Sequence, residues 1–118
     1  MGYFKIAYGV HKPLKTEYII QENKEIALAI AQSAARGLYD SFSGLYGVAS
    51  EAEVAAAMFG GKYGSNDRGD MPDESTIFEH MTDEEIQQVG AIYRKERESN
   101  IVYVCTPISK EDYERFTL

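Results

Sequence analysis

From Lys24 to Phe42 the chain runs without a proline and repeats apolar residues at every fourth position, a pattern that suits an α-helix and no extended strand. Ile26, Ile30, Ala34, Leu38 and Phe42 form the stripe, and Leu28, Ala31, Ala35 and Tyr39 widen it into a broad face to be buried. Gln32 and Arg36 mark the expected wet side. Asn23 is placed to cap the first turn. Gly37 costs up to about 1 kcal/mol of helix propensity and is expected to mark a close contact. A face this wide needs a sheet beneath it, and its alanines let the helix lie directly across one.

Three segments can supply the sheet. Tyr3 to Tyr8 alternates, with Phe4, Ile6 and Tyr8 on one side. His11-Lys12-Pro13-Leu14-Lys15 breaks that pattern, and Thr16 to Gln21 resumes it, so a hairpin is the natural pairing. Ile101 to Cys105 is apolar on both faces, which predicts a central strand closed by Pro107. The order β-β-α-α-α-β-α places the chain in the α+β class. The expected architecture is a small antiparallel or mixed sheet, the N-terminal hairpin plus strand 101–106, with three to four helices packed mainly on one face. A chain of 118 residues is expected to form a single domain that needs neither a disulfide nor a metal to hold it.

The remaining helices are announced by their caps. Ser50 and Glu53 form a capping box for a short helix expected to stop at Gly60-Gly61. Leu45 to Val48 reads equally as a short strand or a packed turn. Residues 60–76 hold few apolar side chains and are expected to form a mobile acidic loop, pinned at its end by Ile77 and Phe78. Thr82 and Glu85 form a second capping box, with Met81 and Ile86 at the spacing of a hydrophobic staple. That helix should reach Ser99 and bury Ile86, Val89 and Ile92 or Tyr93. Ser109 to Asp112 should cap a last short helix carrying Tyr113 and Phe116.

Charge is distributed unevenly. Asp67 to Glu85 holds eight acids and one base, which accounts for the whole formal net charge of −7; the other 99 residues balance at 11 of each sign. Such segregation points to one surface with a role the rest lacks. Direct nucleic-acid binding is not expected of so acidic a chain, because phosphate contacts need clustered Lys and Arg. A basic protein surface is the expected partner instead. Asp83, Glu84 and Glu85 also favour the start of their own helix. Asp67, Asp70, Asp73, Glu74 and Glu79 have no such structural reason, and with Tyr63 as an aromatic anchor they are the candidate partner-binding residues.

Catalytic and cofactor signals are thin, and neither catalytic residues, a metal site nor a cofactor is assigned. The carboxylates at Asp67, Asp70 and Asp73 are three apart, which fails the alternate spacing of an EF-hand loop. The alternative to partner binding is a small-molecule or nucleotide site built from Gly60, Gly61, Lys62, Gly64 and Ser65, whose backbone amides can form an anion nest. It lacks P-loop spacing. A hydrolase built on Glu79, His80 and Cys105 ranks third. Arg68-Gly69-Asp70 matches an integrin-recognition tripeptide by chance length alone. A lone cysteine and the absence of a signal-like N-terminus or a 20-residue apolar run predict a soluble, cytoplasmic protein with no membrane association. The alanine- and tyrosine-rich helix faces also allow a homodimer. In size and charge the chain resembles small acidic accessory proteins of phages and mobile elements. Some of these inhibit defence nucleases and other nucleic-acid-handling enzymes by setting carboxylates where phosphates would lie. The resemblance assigns no residue.

Overall fold

A computed structural model describes residues 1–63 and 77–118. Its contacts gather into two compact units: residues 1–42 with 99–118, and residues 43–98.

The first unit is a three-stranded antiparallel sheet in the order β2-β1-β3, formed by β1 (Gly2–Val10), β2 (Lys15–Gln21) and β3 (Ile101–Ile108). The α+β class and the N-terminal hairpin are as the sequence predicts. β1, not the last strand, is central. Phe4, Ile6, Tyr8 and Val10 alternate along it and are all buried. Helix α1 (Lys24–Phe42) covers that side, capped by Asn23, whose Oδ1 accepts the Ile26 amide at 2.9 Å.

The buried face of α1 holds Ala31, Ala35, Leu38 and Tyr39 of the expected broad face but is turned so that Ala27 joins them and part of the expected stripe is left out. Ala27, Ala31, Ala35, Leu38 and Tyr39 are buried, while Ile26, Leu28 and Phe42 are substantially exposed. The small side chains win because they let the helix backbone approach the sheet closely, which larger ones at the same positions would prevent. Gln32, expected in water, instead donates from Nε2 to the Tyr103 hydroxyl at 3.0 Å. Gly37 marks no close contact: a Cβ there would meet nothing within 4 Å.

β3 is an edge strand and extends past Pro107, which pairs with Phe4. The His11 amide donates to the Asn100 carbonyl at 2.7 Å, which fixes the ladder's alternation. By that alternation Val102, Val104, Thr106 and Ile108 turn their backbone groups toward β1, whereas Ile101, Tyr103, Cys105 and Pro107 turn theirs outward. A proline in the outward set removes no ladder bond, so it interrupts nothing. Apolar residues on both faces did not signal a central strand here, because one of those faces is left partly open: Val104 is 52% exposed.

Helix α5 (Lys110–Thr117) packs on the sheet face opposite α1, so the helices are not confined to one side. Its Tyr113 ring lies 5.1 Å from that of Tyr3, and Phe116 stacks at 5.2 Å on Tyr18. The Ser109 hydroxyl caps it by accepting the Asp112 amide at 3.0 Å. The hairpin turn depends on Gly9, where a Cβ would run into the Lys12 carbonyl oxygen and the Leu14 amide, and on His11, held at φ 67°.

The second unit is helical. A 3₁₀ turn (Ser43–Tyr46), which takes in Leu45 and Tyr46 of the Leu45–Val48 stretch left open between strand and turn, leads to α2 (Glu51–Tyr63), α3 (Ile77–His80) and α4 (Asp83–Asn100), of which α4 lies in this unit up to Glu98. The Ser50–Glu53 capping box forms as expected. Ala55, Ile77, Met81 and Val89 make the core, with Phe59, Tyr63 and Ile86 packed against it. Val89 and Tyr93 of α4 are buried, whereas Ile92 is not. α2 does not stop at Gly60-Gly61 but continues to Tyr63.

Two glycine substitutions separate required from dispensable freedom. Gly37→Ala should raise stability by about 0.5–1 kcal/mol, because it removes a helix-interior glycine without meeting a neighbour. Gly9→Ala should lower it by about 1–3 kcal/mol through the backbone clash. Urea unfolding followed by circular dichroism reads both; equal effects of one sign would contradict the placement of these residues.

Candidate functional site

The acidic window begins to resolve at the start of α4. Thr82 caps the helix, accepting the Glu85 amide on Oγ1 at 3.2 Å, and Glu85 Oε1 accepts the Thr82 amide at 2.9 Å. Met81 at the preceding position is buried in the same core that Ile86 packs against, completing the staple. So far this is what the local sequence dictates.

The rest of the geometry comes from α2. Tyr63 donates its hydroxyl to Glu85 Oε1 at 2.5 Å, and Lys62 Nζ donates to Oε2 at 3.1 Å. Lys62 also lies 5.0 Å from the centre of the Tyr63 ring. Both carboxylate oxygens of Glu85 are therefore occupied, and the residue is buried at 9% exposure. The Thr82 backbone amide chiefly, then the Tyr63 hydroxyl and the Lys62 ammonium, hold the Glu85 carboxyl down to a pKa of about 2. The Lys62 pKa is raised in turn, by its contact with Tyr63 first and that with Glu85 next.

This node explains why α2 outlasts its glycines. Each costs about 1 kcal/mol in a helix interior. Continuing to Tyr63 places a ring against the core and two donors on a buried carboxylate, which offsets that cost.

The sequence-predicted residues sort accordingly. Tyr63 is half-buried with its hydroxyl engaged, so it is not an exposed anchor. Gly60 and Gly61 lie within α2, and Gly60 is buried, so neither belongs to a loop nest. Lys62 is 61% exposed along its side chain but its ammonium is paired. Glu79 is exposed on α3, as are Asp83 and Glu84 on the first turn of α4. Gly64, Ser65, Asp67, Asp70, Asp73 and Glu74 lie outside the described residues, as does most of the loop expected over 60–76.

The third-ranked trio does not converge within one unit. Glu79 and His80 are on α3 in the helical unit, and Cys105 is on β3 in the sheet unit. Burial raises the Cys105 thiol pKa, with Lys24 opposing, which disfavours the thiolate a nucleophile needs. Among the described residues no group of three His, Cys, Asp or Glu is placed to hold a metal ion. No helix among them is long and apolar enough to cross a membrane.

The two units differ completely in charge. The sheet unit holds seven acids and seven bases, and the helical unit 12 acids against five bases. All of the net −7 therefore belongs to residues 43–98. No family model, no curated protein and no solved structure matches the chain.

Glu85 gives this unit an acid-sensitive joint. Its carboxyl ionises more easily folded, at about 2, than unfolded, at its ordinary 4.5. The stabilisation is thus complete above pH 4.5 and is lost as pH falls toward 2. Melting temperatures of the wild type and Glu85→Gln should differ at neutral pH and converge across that window. A gap independent of pH would contradict the role of the ionised carboxylate.

Proposed function

We propose that the chain is a non-enzymatic interaction protein whose helical unit binds a basic protein surface. The observation that carries this reading is the confinement of the net charge to residues 43–98, beside a sheet unit of zero net charge. Glu79, Asp83 and Glu84 are exposed and make no ion pair with another described residue. Glu85, by contrast, is bonded to Thr82, Lys62 and Tyr63 within the helical unit, so structural and outward-facing carboxylates are separated along one short stretch of sequence.

A partner that handles nucleic acid is the concrete class. Its cleft presents Lys and Arg at phosphate spacing, and a row of carboxylates can occupy it competitively. Long-range attraction would speed encounter and weaken with salt. The nucleotide-site alternative gains no support, since Gly60 and Gly61 are helical and the Lys62 ammonium is engaged by Glu85.

The test compares two five-residue amide variants, one of Asp67, Asp70, Asp73, Glu74 and Glu79, the other of Glu22, Glu25, Glu111, Asp112 and Glu114 in the sheet unit. Calorimetric titration with protamine, an arginine-rich probe, should show the first variant weakened by about tenfold, ~1.4 kcal/mol, with a shallower salt dependence. The second should bind like the wild type. Equal weakening of both would show that net charge alone is read, and would overturn the proposal.

A further inference from the structure

We propose that β3 is a self-association edge, through which two copies of this chain pair antiparallel into one six-stranded sheet. The inference rests on the sheet unit alone and is independent of the acidic surface.

The two edges of the sheet are built differently. β2 carries Lys15, Glu17 and Gln21, polar residues that discourage strand addition. β3 reads Ile-Val-Tyr-Val-Cys-Thr-Pro-Ile, eight residues without a charge. Of its outward backbone amides, Tyr103 and Cys105 make no hydrogen bond to another described residue, while Ile101 follows directly on the last turn of α4 and its amide closes that turn. Val104 beside them is half exposed. A long, uncharged edge with no second pairing strand among the described residues is a template for another strand.

Three features select a second copy as that strand. The sheet unit has no net charge, so a two-fold contact through it brings no like-charge repulsion from its own residues. The strand is also self-complementary about Tyr103. Centring the two-fold there sets Tyr103 opposite itself and Ile101 opposite Cys105, which gives the Tyr103 and Cys105 amides carbonyl acceptors and places Pro107 beyond the paired region. A register centred on Val104 or Cys105 would instead bring Pro107 opposite Ile101 or Tyr103, where the ring faces a carbonyl and no donor is available.

The third feature is helix spacing. α1 packs on β1 and β3 alike and barely on β2, so its axis runs over the gap between β1 and β3. With strands about 4.8 Å apart, the two α1 helices of such a pair lie about 10 Å apart, at the upper end of ordinary helix packing distances. Leu28, four residues before the Gln32 that reaches Tyr103, is on that side and is exposed in the single chain. Pairing would cover it.

Sedimentation of the full chain tests the proposal, with Val104→Lys as the edge-blocking variant and circular dichroism as the folding check. The register is tested by Tyr103→Cys in a Cys105→Ser background. Opposed copies of residue 103 would have Cα atoms about 5.5 Å apart, within disulfide reach. Two copies of native Cys105 would be about 13 Å apart along the strand, out of reach. The expected results are a wild type at twice the chain mass, a folded monomeric Val104→Lys, and a mixed-copy disulfide formed by the introduced thiol but not by Cys105. A monomeric wild type at high concentration overturns the proposal, as does a dimer that survives Val104→Lys. If Val104→Lys fails to fold, the disulfide decides: a wild-type dimer whose introduced thiols stay reduced under oxidising conditions also overturns it.

Discussion

β1 is bonded along both sides, to β2 and to β3, and its inward residues lie beneath the alanine face of α1. That double engagement is the constraint on which the sheet unit depends. Burying Ile6 and Val10 requires α1 to come close, and only Ala27, Ala31 and Ala35 permit it. Turning the helix to present those alanines exposes Ile26, Leu28 and Phe42. The same placement leaves β3 at an edge, with its outward amides facing away from the protein's own strands. An apolar sequence at an edge and an apolar residue on the helix flank above it are thus consequences of one packing choice.

The helical unit is organised around a different kind of bond. Glu85 begins as a helix cap and ends as the acceptor for donors from α2. A carboxylate within an acidic stretch would ordinarily repel its neighbours. Here one is withdrawn into the fold and matched by Lys62, while Glu79, Asp83 and Glu84 stay outside. On the two proposals, neutral sheet and acidic helices would offer different chemistry to partners, strand pairing from one and electrostatic attraction from the other.

Local signals in the sequence were legible because they rest on contacts within four residues. Asn23, Ser50, Thr82 and Ser109 all cap as expected, and α1 spans its expected range. What could not be read depends on contacts between distant segments. The rotation of α1 follows from how near it lies to the sheet, not from its own periodicity. The position of β3 follows from pairing, and an apolar strand with one open face reads the same as a buried one. Tyr63 and Lys62 looked like surface residues of a loop because Glu85, 22 and 23 positions away, is what holds them. A lysine and a tyrosine at the end of an alanine-rich stretch, followed by a capping-box glutamate, was the available signal. The acids of the window were visible in composition, but composition does not separate the one that stabilises from those that face solvent.

Residue-resolved amide hydrogen exchange over a range of protein concentrations reads the alternation along β3 most directly. Val102, Val104 and Thr106, bonded to β1, should exchange slowly at every concentration. Tyr103 and Cys105 should exchange quickly in dilute protein and slow as concentration rises and the edges pair. Uniform protection along β3 at all concentrations, or faster exchange at Val104 than at Tyr103, would contradict both the central place of β1 and the open edge.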